Sequence, residues 1–86
     1  CLYFTFAGKP EHDVLGLYRA SWDAVTRTVL EQGGALSHHH GVGRNRARFV
    51  ESALGSGYPV LSTLKKAFDP FNIMNPGALG VGGPPW

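Results

Sequence analysis

Cysteine, charge and long apolar runs are all scarce in this sequence of 86 residues. The single cysteine, Cys1, cannot form an internal disulfide, which excludes a disulfide-stabilised secreted mini-protein and favours a reducing compartment. The apolar stretches are short and interrupted by Gly, Lys or Asp, so none has the pattern of a membrane span or a signal peptide. The formal net charge of +2 is too small to indicate a nucleic-acid partner by itself.

The length allows one small domain with a modest core, which excludes a multi-domain enzyme within this chain. Five Phe, three Tyr and two Trp, within a hydrophobic fraction of 43%, favour a folded chain despite 12 glycines and six prolines. Because the chain starts at Cys1 rather than Met and at once has a strand pattern, we expect it to be a fragment of a larger protein.

The spacing of apolar residues predicts an α+β fold with one or two strands and about three helices. Residues 2–7 are aromatic or β-branched and predict a strand, with Phe4 and Phe6 on the core face and Tyr3 on the other. Residues 35–37 are a candidate second extended segment. Apolar spacings of three and four predict helices over residues 12–32, 44–53 and 60–68. Residues 1–79 form the expected folded segment, and residues 80–86 form a Gly/Pro tail.

Three consecutive histidines stand out from this scaffold. Histidine can transfer protons near neutral pH, so His38, His39 and His40 are candidates for acid–base chemistry or hydrogen bonding to a ligand. Neighbouring side chains on an extended segment point in alternate directions, so His38 and His40 could converge while His39 would not. No Cys or acidic residue lies at ligand spacing, so we do not predict a metal site. The alternative is that all three are ordinary surface-loop histidines.

A glycine-rich turn, Gly41-Val42-Gly43, follows the histidines and precedes a predicted helix. Such a turn lets backbone amides approach a ligand closely, although the third glycine of a dinucleotide-binding fingerprint is missing. One or two of the guanidinium groups of Arg44, Arg46 and Arg48 could bind a phosphate or a carboxylate, and Arg44, at the start of the helix, is the candidate. The alternative is that Arg44, with Arg46 and Arg48, forms a solvated basic face.

Three motifs together resemble the C-terminal end of FAD-linked oxidases of the vanillyl-alcohol-oxidase type. They are Gly33-Gly34-Ala35-Leu36-Ser37-His38-His39-His40-Gly41-Val42-Gly43-Arg44, Leu64-Lys65-Lys66-Ala67-Phe68-Asp69-Pro70 and Asn75-Pro76-Gly77. Within that superfamily the triple histidine is most similar to the alkyldihydroxyacetonephosphate synthases, whereas relatives that oxidise 2-hydroxy acids more often have a single histidine. The resemblance covers residues 2–79, and Arg44 departs from the lysine common in the family.

The resemblance implies that the full-length protein is an FAD enzyme that exchanges the acyl group of acyl-dihydroxyacetone phosphate for a fatty alcohol. It implies catalytic roles in proton transfer for Tyr3, His39 and His40, and positions near the flavin for His38, Gly41, Val42, Gly43 and Asn75. FAD would be bound mainly by a domain upstream of Cys1, and the FAD-binding and cap domains of the same polypeptide would be this segment's partners. The isolated chain would then be inactive.

Two other functions remain open at this stage. One is an FAD-linked dehydrogenase or oxidase of 2-hydroxy acids such as D-lactate or glycolate, and the other is a small anion-binding module without catalysis. We expect a lipid-like or hydroxy-acid substrate, no nucleic acid, and a cytoplasmic protein. Homodimer formation and peripheral membrane attachment are left open, and any targeting signal would lie upstream.

Overall fold

The first helix, α1, spans Val14–Glu31 in the computed structural model, which describes residues 2–83. Asp13 precedes the helix, and its Oδ1 accepts a hydrogen bond from the Gly16 amide at 2.9 Å, which satisfies one of the free amides of the first turn. Gly33, with a φ of 74°, follows the end of the helix in the left-handed conformation. The helix predicted over residues 12–32 is therefore confirmed.

Three further helices follow: α2 at Gly43–Ala47, α3 at Val50–Leu54 and α4 at Tyr58–Phe68. One-turn 3-10 helices lie at Gly55–Gly57 and Ala78–Gly80. The helix predicted over residues 44–53 is divided between α2 and α3, because the Phe49 amide bonds the Arg46 carbonyl in a tighter turn at 2.9 Å. This turn directs Phe49 into the interior. The helix predicted over residues 60–68 is confirmed as α4, which begins two residues earlier.

The small hydrophobic core lies around α2 and α3. Its buried apolar residues are Ala47, Phe49, Val50 and Val81. The Tyr58 hydroxyl donates a 2.6 Å hydrogen bond to the Gly80 carbonyl, which fastens the segment after α4 to the start of that helix. Val81 belongs to the predicted Gly/Pro tail, so the first part of that tail is packed, while residues 84–86 lie outside the described residues.

The predicted α+β fold is wrong for the described part of the chain, because residues 2–83 contain helices and no β-strand. The segment 2–7 has no regular secondary structure, and Leu2 and Phe4 are 83% and 73% exposed rather than in a core. A strand needs a neighbour to pair its backbone groups, and residues 35–37, the other candidate, are not a strand either. Within residues 2–83, no helix has both the length and the apolar character needed to cross a membrane.

Candidate functional site: a groove beside the histidine loop

A groove of about 730 Å³ lies between α1 and the two irregular segments 2–10 and 35–40. Its walls are mainly aliphatic and aromatic. The apolar lining residues are Leu2, Phe4, Phe6, Ala7, Pro10, Val14, Leu17, Trp22, Val25, Ala35 and Leu36. Because exposed apolar side chains form these walls, the groove has the volume and character of a site for a small organic molecule.

The histidine loop is closed by a short hydrogen bond in which the Ser37 hydroxyl donates to the Gly41 carbonyl at 2.6 Å. Within the loop, the Nδ1 atoms of His38 and His39 lie 2.7 Å apart, so one ring donates and the other accepts. The rings of His39 and His40 are also in contact, with centroids 4.1 Å apart. The three imidazoles therefore form one contiguous cluster in which the proton position on His39 is coupled to that on His38.

Tyr3, His38 and His40 line the groove, whereas His39 does not. The Tyr3 ring meets the His38 ring edge to face, with centroids 6.5 Å apart and an interplanar angle of 80°. His38 and His40 thus share the groove, as expected, but the side chains do not alternate regularly, because the His39 ring contacts both neighbouring rings with centroids 4.1 Å apart. Three groups able to exchange protons face the same cavity, and their catalytic roles stay predictions.

The turn Gly41-Val42-Gly43 has the backbone conformation that its two glycines allow. Gly41 and Gly43 have φ values of 76° and 58°, a region that residues with a Cβ rarely adopt. Apart from the adjoining backbone and chain neighbours, no atom lies within 4 Å of the position that a Cβ would occupy at either glycine, so the backbone is open to a neighbouring group. Val42 is half-buried and immediately precedes α2. The turn therefore leaves room for a large ligand to approach the main chain, as the sequence predicts.

The arginines of α2 and of the turn after it differ in their position relative to the groove. Arg44, the anion-binding candidate from the sequence, is exposed and does not line the groove. Arg46 does line it, and its guanidinium carbon lies 4.7 Å from the centre of the Trp22 ring. The sequence included Arg46 among three possible anion-binding arginines but did not select it, because its position depends on contact with α1. The available signal was that Arg46 lies on a different side of α2 from Arg44 and Arg48.

Polar contacts fix α2 against α1 and so hold one wall of the groove. The Asn45 side-chain amide donates to the Tyr18 hydroxyl at 2.6 Å. Arg48 donates from Nε to Asp23 Oδ1 at 3.0 Å and forms a second contact to the same oxygen from Nη2. The same arginine also donates from Nη1 to the Asn45 carbonyl at 3.0 Å. We call the contacts of Asp23 with Arg48 and of Tyr18 with Asn45 the α1–α2 clamp.

Asn75, predicted to lie near the flavin, lines a second and smaller groove of about 340 Å³. The two grooves share no lining residue, so the structure does not bring Asn75 to the cavity of the histidine loop.

Beside Asn75, a hydrogen-bonded carboxylate fixes the turn that follows α4. The buried Asp69 carboxylate accepts from Lys65 and from the amides of Ile73 and Met74, both at 2.9 Å. These bonds, that from Lys65 above all, hold the pKa of Asp69 below its ordinary value despite its burial. This carboxylate has a structural role in the turn.

The chemistry of the groove suits one face of an FAD ring system. A flavin is planar and aromatic with a polar edge, and the groove offers an apolar wall beside the nitrogen atoms of His38 and His40. The open backbone at Gly41 and Gly43 provides a further approach for such a group. Within residues 2–83, no cluster of three or more His, Cys, Asp or Glu side chains is arranged to hold a metal ion.

The chain belongs to a family of flavoenzyme domains. A sequence profile described as "FAD linked oxidases, C-terminal domain" matches residues 1–79. No solved structure is similar to the chain at a significant level.

Several curated proteins are similar to the chain. The alkyldihydroxyacetonephosphate synthase of Trypanosoma brucei brucei is 36% identical over 92% of this chain and 13% of its own length. The uncharacterized FAD-linked oxidoreductase YgcU of Escherichia coli K12 is 34% identical over 83% of this chain and 15% of its own. The D-2-hydroxyglutarate dehydrogenase of Pseudomonas putida is 44% identical over 66% of this chain and 6% of its own length. The chain thus spans less than a sixth of the length of these relatives.

Proposed function

We propose that this domain is the C-terminal part of an FAD-dependent enzyme that makes an ether lipid precursor, as an alkyldihydroxyacetonephosphate synthase does. The observation that carries this proposal is the groove itself, in which Tyr3, His38 and His40 share a cavity with a long apolar wall. An aliphatic chain gains free energy from such a wall, at about 25 cal/mol per Å² of apolar surface buried. The proton-exchanging groups would then lie beside the reacting end of the lipid.

The reaction exchanges one oxygen substituent for another on the same carbon. The bond between the dihydroxyacetone carbon and the ester oxygen breaks, and the acyl group leaves as a fatty-acid carboxylate. A new bond forms between that carbon and the oxygen of the fatty alcohol, whose proton is released. Nothing is oxidised or reduced overall, so the protein must move protons and exclude water while the FAD supplies reversible electron-accepting chemistry at the carbon.

The side chains in the groove divide these tasks. Tyr3 and His40 would exchange protons with the substrate, since both line the cavity and both can donate or accept. His38 also lines the groove and, with Gly41, Val42 and Gly43, would contact the flavin. His39 is not part of the groove lining but bonds the His38 ring, so it would act as a positioning residue that fixes the proton location on its neighbour.

The exposed aromatic segment 2–7 supports the proposal that other domains of the same polypeptide complete the site. Tyr3, Phe4 and Phe6 are all more than half exposed in this chain. An FAD-binding domain and a substrate cap would cover these side chains and close the open side of the groove. Under this proposal the domain supplies proton-transfer groups and one apolar wall, and the remaining domains supply the cofactor.

A second candidate is an FAD-linked dehydrogenase of 2-hydroxy acids. The observation that favours it is the similarity to D-2-hydroxyglutarate dehydrogenase, which is limited to 57 residues. The groove argues against it, because a small polar hydroxy acid would leave most of the apolar wall without a contact. The similarity to alkyldihydroxyacetonephosphate synthases also extends further along the chain, to 81 and 78 residues.

The experiment that separates the two candidates supplies the FAD-loaded full-length protein with acyl-dihydroxyacetone phosphate and a labelled fatty alcohol. The proposal predicts a labelled alkyl ether and one equivalent of released fatty acid, without reduction of an added dye. A matched reaction supplies D-lactate, glycolate or D-2-hydroxyglutarate with the same dye. Dye reduction there, with no labelled ether in the first reaction, would contradict the proposal and establish the dehydrogenase.

A further inference from the structure

The groove beside the histidine loop has a positive electrostatic character that its apolar walls do not explain. Arg46 is the one residue in its lining that is charged at neutral pH regardless of environment. Among the described residues that line the groove, none is acidic. His38 and His40 can only add positive charge, since a neutral imidazole gains a proton and never becomes an anion under physiological conditions. An anionic ligand would therefore meet attraction and no repulsion from these walls.

The Arg46 guanidinium is held in place without being neutralised. Its carbon lies 4.7 Å from the centre of the Trp22 ring, a cation–π contact that positions the guanidinium group over the ring without neutralising its charge. The Asp23 carboxylate, next to Trp22 in the sequence of α1, pairs with Arg48 and Arg27. Within residues 2–83, no ion pair involves Arg46. The α1–α2 clamp thus fixes the helix that carries Arg46 and also occupies Asp23.

We propose that Arg46 binds the anionic group of the substrate, a phosphate monoester, in the groove that His38 and His40 line. An oriented guanidinium presents paired N–H donors that match two oxygens of a phosphate. The identity of the anion as a phosphate ester rests on the proposed function, whereas anion binding at Arg46 does not. Arg46 takes the place of Arg44, which the sequence nominated and which does not line the groove.

The first test measures binding without turnover, by the thermal stability of the FAD-loaded full-length protein with and without inorganic phosphate. The wild type is expected to gain Tm with phosphate, and Arg46→Gln is expected to lose that gain. The matched control is Arg19→Gln, an exposed arginine of α1 outside the groove, which should retain the full gain. An equal gain in Arg46→Gln and the wild type would overturn the proposal. A larger response to acetate than to phosphate would overturn the assignment of the ligand as a phosphate.

The second test uses steady-state kinetics of the ether-forming reaction. Arg46→Gln should raise the KM for acyl-dihydroxyacetone phosphate by about 10- to 100-fold, the range expected when a hydrogen bond to a charged group is lost. The KM for the fatty alcohol and the kcat should change only a few-fold. Arg46→Lys keeps the positive charge but lacks the paired N–H donors, so it should raise the KM for acyl-dihydroxyacetone phosphate by less. Equal effects of Arg46→Gln on the KM of both substrates would contradict the proposal and would leave the proposed function standing.

Discussion

The α1–α2 clamp allows a quantitative prediction because Asp23 contacts two arginines with very different geometry. Arg48 donates two N–H groups to one Asp23 oxygen, and both side chains are 37% exposed. Arg27 lies one helical turn from Asp23 at 4.0 Å and is 68% exposed. Fully exposed pairs contribute about 0.2–1 kcal/mol, and pairs one turn apart on a helix about 0.3–0.5 kcal/mol. We therefore expect a coupling energy of about 1 kcal/mol for Asp23–Arg48 and about 0.3 kcal/mol for Asp23–Arg27.

A double-mutant cycle measures both coupling energies in one protein. The variants are Asp23→Asn, Arg48→Gln, Arg27→Gln and the two double variants, and Arg27 serves as the matched control. Hydrogen exchange of peptides from α1 and α2 reports the free energy of local opening. Loss of the Arg48 contact should speed exchange in α2 about five-fold, because 1 kcal/mol corresponds to that factor. Salt at about 1 M should weaken this coupling, since it reduces the screening length to about 3 Å.

The reasoning would be refuted if the two arginines gave equal coupling energies, or if the Arg48 coupling were absent at low salt. Equal values would mean that the Asp23–Arg48 contact holds α2 against α1 no more strongly than an exposed pair on the surface of one helix.

Three further predictions concern the site, the core and the turn after α4. In the full-length enzyme, His40→Ala should lower kcat by about 10²–10⁴-fold, the usual contribution of acid–base catalysis, and a change of only a few-fold would mean a structural role. Because Phe49 is buried, Phe49→Ala should lower the free energy of unfolding by about 3–5 kcal/mol, measured by denaturant unfolding. Phe49→Leu should lower it less, and equal losses in the two variants would contradict the packing of Phe49 in the core. Since the pKa of Asp69 is lowered in the folded protein, its carboxylate stabilises the turn after α4 at pH values above the ordinary pKa of 3.8. This stabilisation is lost as the pH falls through the lowered pKa. The hydrogen-exchange protection of the Ile73 and Met74 amides should therefore decline in acid. In Asp69→Asn these amides should be less protected at pH 7 and should lose little more protection in acid. Unchanged protection in the variant would refute the structural role of Asp69.

The sequence predicts the helices that depend on local signals. The stripe of α1 and the Asp69-Pro70 stop after α4 follow from spacing and from the restriction that proline places on its predecessor. The division between α2 and α3 could not be predicted, because the tighter turn at Phe49 accompanies the burial of that side chain, which the local spacing does not indicate. The predicted strand failed for a similar reason, since its side-chain pattern was right for a sheet but the described residues provide no partner strand.

In the candidate site, too, some features follow from local sequence patterns and others depend on contacts between distant residues. Side-chain alternation predicts that His38 and His40 share one cavity, and both line the groove. Residues 38–40 form bends, however, and the contact of the His39 ring with both neighbouring rings could not be predicted from that pattern. The place of Arg46 depends on a contact with Trp22, 24 positions earlier in the chain, and no local pattern encodes it. Asn75 was assigned to the flavin by family resemblance, but it lines the smaller groove.

Photo-crosslinking tests the central claim most directly, because it reports where the lipid chain lies. A fatty alcohol with a diazirine on its chain would be illuminated with the FAD-loaded full-length protein, and the labelled peptides would be identified by mass spectrometry. The account predicts labels within residues 2–10 and on α1 near Leu17 and Val25, with competition by unlabelled fatty alcohol. Competed labels confined to the second groove, on Leu61, Leu64 or Phe68, would contradict it.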